Sequence, residues 1–318
     1  MSKSSRTQEH FVAPVTSDVL PETDAVQNGK APLSMWGEAW RNLRRRPLFI
    51  ISALLILLII AVAAFPQLFT QTPPDGACYL ADSNAGPRPG HPLGCTLQGC
   101  DVYARLIYGT RASVLVGIVT TACVVLLGGT LGALAGYYGG WLDAVIARLG
   151  DIFFALPLIL GAIIVMQLPM FRENRNIWTV VLTLVVFGWP QIARITRGAV
   201  ISVRSNADFV VASRALGVSR FQALVKHVLP NALAPVIVTA TISLGTFIVA
   251  EATLSFLGIG LPPDIMSWGN DISAAQTSLR ANPAALLWPA GALSVTVLSF
   301  IMLGDAVRDA LDPTARKL

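Results

Sequence analysis

Charged side chains are scarce in this chain of 318 residues. Only 13% of the residues are Asp, Glu, Lys or Arg, whereas 54% are hydrophobic, and a soluble domain carries about twice that share of charge. Backbone groups inside a bilayer must pair within their own segment, and an uncharged run of about 18 residues is long enough to cross it as a helix. The composition therefore predicts an all-α integral membrane protein.

Catalytic and cofactor motifs are also missing. The chain contains no G-x-x-x-x-G-K-[ST] phosphate loop, and none of its four lysines lies in such a context. Its three histidines are scattered, and no His or Cys pair has the spacing of metal ligands. No nucleophile stands beside a base in a recognisable motif. We therefore expect no catalytic, cofactor or metal site in this chain and no enzymatic activity of its own.

The net charge of +5 raises the question of nucleic acid binding, which the placement of the basic residues answers. If the apolar runs alternate across a membrane, most Lys and Arg fall on one side, and such an excess marks the cytoplasm. We therefore expect a multi-pass membrane protein with both termini in the cytoplasm, in contact with lipid and not with nucleic acid. The six basic residues expected outside are Arg88, Arg105, Arg111, Arg172, Arg175 and Arg280.

The alternation of polar and apolar stretches divides the chain into five parts. Residues 1–34 are polar and without periodicity, which is typical of a flexible cytoplasmic tail. Residues 35–47 combine tryptophans with arginines, as interfacial amphipathic helices do. We expect the first transmembrane helix at 48–65, an external loop rich in Pro and Gly at 66–111, and a core of five more helices at 112–318. These five are expected at about 113–138, 144–168, 177–201, 233–257 and 284–303.

Several side chains within the spans predict how the helices pack and bend. Pro157 and Pro190 each remove a backbone hydrogen bond and permit a bend. Arg148 and Asp151, three residues apart near the cytoplasmic boundary, are expected to form a structural ion pair. Glycines spaced by four residues form one face of the second span, where a neighbouring helix can approach closely. These glycines are Gly128, Gly132, Gly136 and Gly140.

Glu251 is the deepest acidic residue of the expected spans. Ionisable groups inside a membrane often belong to a transport pathway. A buried carboxyl can equally fix helix packing through hydrogen bonds. The sequence leaves both interpretations open.

The longest polar interruption in the C-terminal two-thirds of the chain, residues 204–231, is patterned as two short helices rather than as a loop. Ser205 and Asp208 have the spacing of an N-cap and its acidic partner, which predicts a helix beginning near Asn206. Gly217 is expected to end this helix in a left-handed conformation.

Ser219 is expected to cap the second short helix, which would end before Pro230. Small side chains at the centre of the segment let another surface approach its backbone. The residues that share one face of the first helix are Phe209, Ala212, Ala215 and Leu216.

Two motifs, Ala-x-x-Ala-Leu-Gly at 212–217 and His-x-Leu-Pro-Asn at 227–231, resemble the coupling loop of ABC-importer permeases, and we call residues 204–231 the coupling segment. The resemblance implies that it docks on an ATP-hydrolysing subunit. The family's glutamate and second alanine are replaced by Val211 and Ser213, so a glutamate-mediated contact does not carry over. The alternative is an amphipathic helix on the membrane surface. The residues expected to couple are Asp208, Phe209, Ala212, Ser213, Ala215, Leu216 and Gly217.

Further motifs resemble the dipeptide, oligopeptide and nickel permeases of this family, from about residue 36 to the C-terminus. The resemblance implies six transmembrane helices in the type I ABC importer fold, the MetI-like permease fold. The motifs are His-Pro-Leu-Gly at 91–94, Asp-Val at 101–102, Arg-Leu-Ile-Tyr-Gly at 105–109, Glu-Ala-x-Leu-Ser-Phe-Leu-Gly at 251–258, Ser-Trp-Gly at 267–269 and Gly-Asp at 304–305.

Cysteines replace the family's usual threonine and arginine at Cys95 and Cys100. Two such departures in a loop expected on the oxidising side indicate a disulfide, either between these two or between one of them and Cys78. Three cysteines leave one unpaired. Cys123, in the second span, is expected to be an inert apolar residue.

The resemblance implies the permease subunit of an ATP-driven importer of short peptides in the bacterial cytoplasmic membrane. Its expected partners are a second homologous permease, two ATP-binding subunits or domains that hold ATP and Mg, and an extracytoplasmic peptide-binding protein. The alternatives are a permease for nickel complexes or another small solute and, in different classes, an ion-coupled secondary transporter or a membrane anchor. A secondary transporter predicts inverted repeats and proton-relaying charges.

Overall fold

The computed structural model describes residues 35–76, 78–206, 215 and 217–311, most of them in helices. The chain divides into two units, Met1–Glu38 and Ala39–Leu318. Only the start of the first helix is described in the first unit. The helices are α1 Met35–Leu43, α2 Pro47–Ala64, α3 Val102–Tyr138, α4 Gly140–Phe154, α5 Leu158–Met166, α6 Pro169–Glu173, α7 Ile177–Asn206, α8 Arg220–Ala223, α9 Leu229–Phe256, α10 Trp268–Ala275 and α11 Ala284–Leu311.

Five helical stretches among the described residues are long and apolar enough to cross a membrane. They are α2, α3, α7, the continuous stretch Arg220–Phe256 and α11, and α4 with α5 makes a sixth if this bent pair counts as one span. The sequence predicted six spans, and the described residues contain six when the bent pair is counted as one span and five when it is not.

The third span is broken, which corrects the expectation of one bent helix at 144–168. Helices α4 and α5 meet at an angle of 81°. Pro157 stands between them in an extended conformation, with φ −56° and ψ 132°. Proline disfavours a helical conformation in the residue before it and has no N–H to donate, so α4 ends before Pro157. Pro190, in contrast, lies inside the continuous helix α7.

The second span begins earlier than expected. Asp101 caps α3, because its carboxylate accepts hydrogen bonds from the backbone N–H groups of Tyr103 (3.4 Å) and Ala104 (3.1 Å). Residues 102–111, assigned to the external loop from the sequence, are therefore the first turns of α3. The loop that remains between α2 and α3, residues 65–101, is called the outer loop below.

The helices flanking the coupling segment also differ from the expectation. Helix α7 continues through Ser205, whose hydroxyl donates to the Ile201 carbonyl oxygen at 2.9 Å, so Ser205 is inside a helix and is not an N-cap. The second helix does not end before Pro230. A π-helical turn, Leu224–Val228, joins α8 to α9 there, with Pro230 in the first turn of α9. A proline N–H is not needed in a first turn, so the helix continues.

The glycine face of the second span lies directly against α7. A Cβ atom on Gly128, Gly132 or Gly136 would collide with a backbone carbonyl oxygen of α7, so α3 and α7 touch backbone to backbone. Gly140 is not part of this face, which corrects the expectation. It begins α4 at a φ of +63°, with open space around it.

The apolar core lies where α3, α7 and α9 meet. Its fully buried members include Val116 and Val124 of α3, Leu184 of α7 and Leu254 of α9. Helix α2 packs outside this core and exposes most of its apolar side chains, as a lipid-facing span does. The Arg111 guanidinium anchors the end of α2 by donating to the carbonyl oxygens of Ala63 and Ala64, at 3.0 Å each.

Candidate functional site: the coupling face

Ion pairs connect α7 to α4 at the end of the bundle that carries the coupling segment. Arg197 of α7 forms a two-pronged pair with Asp143 of α4, with 2.6 Å between Nη2 and Oδ2. Arg194, one turn earlier, lies 3.5 Å from Asp151 of α4. Bidentate arginine–carboxylate contacts fix geometry as well as distance, so this end of α7 is held against α4.

The expected pair of Arg148 with Asp151 is present but loose. The two side chains are 3.6 Å apart, and the Arg148 side chain is 85% exposed. Sequence reasoning missed the stronger Asp143–Arg197 pair, because its partners lie 54 positions apart and no local spacing links them.

The last turn of α7 is anchored to the end of α3. Arg204 donates a hydrogen bond of 2.8 Å to the Tyr137 carbonyl oxygen, and its guanidinium carbon lies 5.9 Å from the centre of the Tyr137 ring. Carbonyl groups in the last turn of a helix lack partners in their own helix and carry partial negative charge, so a guanidinium suits this position. The beginning of the coupling segment is therefore held against the end of α3.

The segment also ends at a fixed point, beside the same part of α3. Ser219 caps α8 as expected by accepting a 3.3 Å hydrogen bond from the Gln222 N–H. One buried apolar cluster then packs the helices at both ends of the coupling segment against α3. It contains Ala133, Tyr137, Val200, Ala223, Leu224, Val228 and Ala232. Both ends of the coupling segment are thus packed against the end of α3.

Two of the expected coupling residues can be placed. Ala215 and Gly217 are exposed, and Gly217 has the predicted left-handed conformation with a φ of +90°. A Cβ atom at Gly217 would meet nothing within 4 Å among the described residues, so an approaching surface can reach this backbone. The other expected positions, together with Val211, lie outside the described residues; they are Asp208, Phe209, Ala212, Ser213 and Leu216.

Glu251 lies far from the coupling segment in sequence and is completely buried. Ser255 donates a 2.8 Å hydrogen bond to its Oε1 atom, and the hydroxyls of Ser113 and Ser267 lie beside the same carboxyl. Ser113 in turn accepts a 3.2 Å hydrogen bond from the Trp268 N–H. The carboxyl therefore stands at the junction of α3, α9 and α10.

Glycines make this junction compact. A Cβ atom on Gly269 would lie 2.6 Å from the Ala252 carbonyl oxygen, and one on Gly260 would collide with Ser255. The Trp268 indole N–H donates to the Leu106 carbonyl oxygen at 3.1 Å. The Glu-Ala-x-Leu-Ser and Ser-Trp-Gly motifs thus form one packed unit in the structure.

In the outer loop, the structure joins Cys78 to Cys100 by a disulfide and leaves Cys95 as a buried free thiol. This is one of the pairings that the sequence left open. Burial raises the pKa of the Cys95 thiol, and the nearby Arg88 opposes that shift only in part. A protonated, buried thiol is a poor nucleophile. No group of three potential metal ligands occurs among the described residues.

Comparisons with known protein families agree with this architecture. Residues 128–317 match the family of binding-protein-dependent transport system inner membrane components. Residues 34–87 match the N-terminal transmembrane domain of oligopeptide transport permease C.

Similar proteins cover nearly the whole chain. The oligopeptide transport system permease of Bacillus subtilis is 34% identical over 295 residues, which are 92% of this chain and 94% of that protein. The dipeptide transport system permease of Alkalihalophilus pseudofirmus is 35% identical over 299 residues, 92% of this chain and 94% of that protein. A glutathione transport system permease of Pectobacterium atrosepticum is 34% identical over 284 residues, 89% of this chain and 93% of that protein.

Solved structures share the fold. An inward-facing form of the MetNI methionine ABC transporter matches with a TM-score of 0.53 and 21% identity over 65% of this chain and 96% of the solved chain. An amino acid ABC transporter matches with a TM-score of 0.52 and 15% identity over 64% of this chain and 92% of that chain. At these identities the similarity concerns the fold alone.

Proposed function

The chain belongs to the family of binding-protein-dependent transport system inner membrane components, and from this premise we propose that it is the permease subunit of an ATP-driven importer of short peptides. The relatives compared above are named for oligopeptides, dipeptides and glutathione, all of which contain peptide bonds. That shared chemistry supports a peptide as the cargo of this chain.

The main support for a coupling role is that both ends of the coupling segment are anchored to the end of α3. Arg204 anchors the beginning of the segment, and the apolar cluster around Val228 anchors its end. Protein interiors are densely packed and transmit displacement. A push on the exposed turn at Gly217 therefore moves α7 and α9, the two helices that pack on α3 through the core.

The partners follow from this role. We propose two ATP-binding subunits that hold ATP and Mg at the coupling segment, a second homologous permease that completes the pathway, and an extracytoplasmic binding protein that delivers the peptide. A membrane subunit of this kind leaves the hydrolysis of ATP to its partners.

The proposed setting is the bacterial cytoplasmic membrane with both termini inside. The Arg46 guanidinium, just before α2, lies 2.6 Å from the Asp309 carboxylate near the end of α11. This ion pair supports a common side for the two ends of the membrane domain. The excess of basic residues on that side supports its being the cytoplasm.

The function is tested by co-expressing the chain with the subunits that co-purify with it and reconstituting the complex in vesicles. Uptake of a radiolabelled dipeptide should require ATP and should stop when the phosphate-loop lysine of the ATPase is replaced. A sodium or proton gradient without ATP should drive no uptake. Uptake that follows an ion gradient alone would overturn the proposal and favour a secondary transporter.

A further inference from the structure

Three exposed arginines lie where α1 turns into α2, and we call Arg41, Arg44 and Arg45 the arginine cluster. All three are exposed, and none has a carboxylate partner in the described part of the chain. Arg46, the next residue, differs because its guanidinium forms the ion pair with Asp309 of α11. That pair fixes the position of the turn, while the positive charge of the cluster has no counter-ion among the described residues.

The backbone keeps the three arginines close together. The Arg44 N–H donates to the Trp40 carbonyl oxygen at 3.2 Å, and the Arg45 N–H donates to the Asn42 carbonyl oxygen at 3.3 Å. The helical path of α1 therefore continues to Arg44. Residues three apart on a helix are neighbours on its surface, so Arg41 lies beside Arg44, and Arg45 follows directly in the chain.

The length of α2 determines how deep the arginine cluster lies in a bilayer. Helix α2 has 18 residues and no charged side chain. At a rise of about 1.5 Å per residue it is about 27 Å long, which nearly equals the hydrocarbon thickness of roughly 30 Å. A helix of this length fills the hydrocarbon core, so both of its ends lie at the level of the lipid headgroups. The arginine cluster directly precedes the first of these ends.

An aromatic ring and an apolar helical turn adjoin the cluster. The Trp40 side chain is 58% exposed and meets the Phe49 ring of α2 edge to face, with 6.0 Å between the ring centroids. Leu48, Ile50 and Ile51 in the first turns of α2 are also exposed. Tryptophan is enriched at membrane interfaces because it combines an apolar ring with a polar N–H. An acidic protein segment would match the arginines alone, whereas an anionic phospholipid matches the arginines, the ring and the apolar turn.

We propose that the arginine cluster binds the headgroup of an anionic phospholipid, with the guanidinium groups at the phosphate and Trp40 beside the glycerol region. A guanidinium can donate two parallel hydrogen bonds to phosphate oxygens. A zwitterionic lipid such as phosphatidylcholine offers the same phosphate but also brings a positive choline group to the arginines, so the cluster prefers an anionic lipid. The inference is independent of the proposed transport function, because it concerns the binding of lipid to this chain.

Native mass spectrometry of the purified full chain with its co-purifying subunits tests the proposal. The complex is delipidated in detergent and titrated with dioleoyl-phosphatidylglycerol or with dioleoyl-phosphatidylcholine. The wild type should retain one phosphatidylglycerol per chain at least fivefold more tightly than phosphatidylcholine. The double variant Arg44→Gln with Arg45→Gln should bind that phosphatidylglycerol at least fivefold more weakly and bind phosphatidylcholine as the wild type does.

The matched control is Arg148→Gln with Arg172→Gln, which removes the same charge from exposed positions on α4 and α6. It should retain phosphatidylglycerol like the wild type. If the control loses as much lipid as the double variant of the cluster, or if the wild type retains the two lipids equally, the proposal is wrong. Thermal unfolding checks the fold of each variant, and Arg41→Gln, with a loss of at least twofold, gives a second reading if the double variant unfolds.

Soluble glycerol phosphate distinguishes a lipid from a free phosphate. It carries the same phosphate chemistry but has no acyl chains to lie against the apolar turn of α2. It should fail to displace phosphatidylglycerol when present at the same concentration. Displacement at equal concentration would mean that the cluster takes a soluble phosphate, which would overturn the assignment to a lipid.

Discussion

At the scale of single residues, the structure bears on the two interpretations of Glu251, a residue of a transport pathway or a buried carboxyl that fixes helix packing. A pathway residue has to meet water or cargo, whereas the Glu251 side chain is wholly buried among hydroxyls from three segments of the same chain. We therefore propose that it acts as a packing residue that joins α3, α9 and α10. Its position in a motif that resembles permeases of different substrates is consistent with such a role.

Glu251→Ala should lower the free energy of unfolding by about 1–3 kcal/mol, because the buried hydroxyls around it lose their acceptor. Glu251→Gln, which keeps an acceptor oxygen, should lose less. Denaturant titration of the purified chain in detergent measures both. Thr253→Ala is the control, since its hydroxyl bonds only to its own helix at the Val249 carbonyl. A Glu251→Gln variant with unchanged stability but no peptide uptake would contradict the packing role.

At the scale of elements, the contact between α3 and α7 determines how the bundle is built. Glycine spacing identified the face of α3 in advance, but the sequence did not identify α7 as the helix that meets it. Hydropathy likewise located the third span without revealing the break at Pro157, because an apolar run looks alike whether it forms one helix or two. Helix α3 starts earlier than hydropathy indicates, because its first turns contain Arg105 and Arg111 and are stabilised by the Asp101 cap, which hydropathy does not register.

Gly132→Ala should lower the free energy of unfolding by about 1–3 kcal/mol, since the added methyl group must displace the Ala193 carbonyl of α7. Gly129→Ala is a matched control in the same helix. A Cβ atom there meets nothing within 4 Å among the described residues, and alanine is the better helix former, so stability should hold or rise. Equal losses for both variants would mean that α3 and α7 do not touch through this face.

The Asp143–Arg197 pair should transmit motion from the coupling segment to α4. We expect Asp143→Asn to reduce peptide uptake per ATP hydrolysed severalfold in reconstituted vesicles, while stability falls by no more than about 1 kcal/mol, as for other partly exposed pairs. The double variant Asp143→Arg with Arg197→Asp should recover much of the lost ratio. Arg148→Gln, which removes a mostly exposed arginine of the same helix, should leave the ratio intact. Failure of the double variant to recover, with its fold intact, would argue against transmission through this pair.

At the scale of the whole molecule, the described residues form a helical bundle whose two ends differ in structure. One end carries the outer loop, which the Cys78–Cys100 disulfide cross-links. The opposite end presents the exposed turn at Gly217 on a base formed by α3. In the proposed importer, an ATPase docked at the Gly217 turn would change access to the transport pathway at the opposite end of the bundle.

Gly217→Val should impair coupling without unfolding the bundle. A β-branched residue at a φ of +90° is strained by about 1–3 kcal/mol, and its side chain would stand in the way of a docking ATPase. We expect severalfold lower peptide-dependent ATP hydrolysis and uptake in vesicles.

Gly90→Val is the matched control for this variant, because Gly90 has a φ of +88°, is surrounded by open space and lies in the outer loop. It introduces similar strain away from the coupling segment and should leave ATP hydrolysis unchanged. If the two variants lose the same activity, strain alone explains the loss and Gly217 has no part in docking.

The sequence by itself determined which stretches are apolar enough to span a membrane and that the chain turns at Gly217. Hydropathy, charge and backbone freedom are properties of neighbouring residues, so they can be read along the chain. Only the tertiary structure decided that Arg197 meets Asp143, that Arg105 joins Asp75 to Asp271, and that Glu251 is enclosed by serines. These contacts join positions from different helices, and which helices meet depends on packing of the whole bundle.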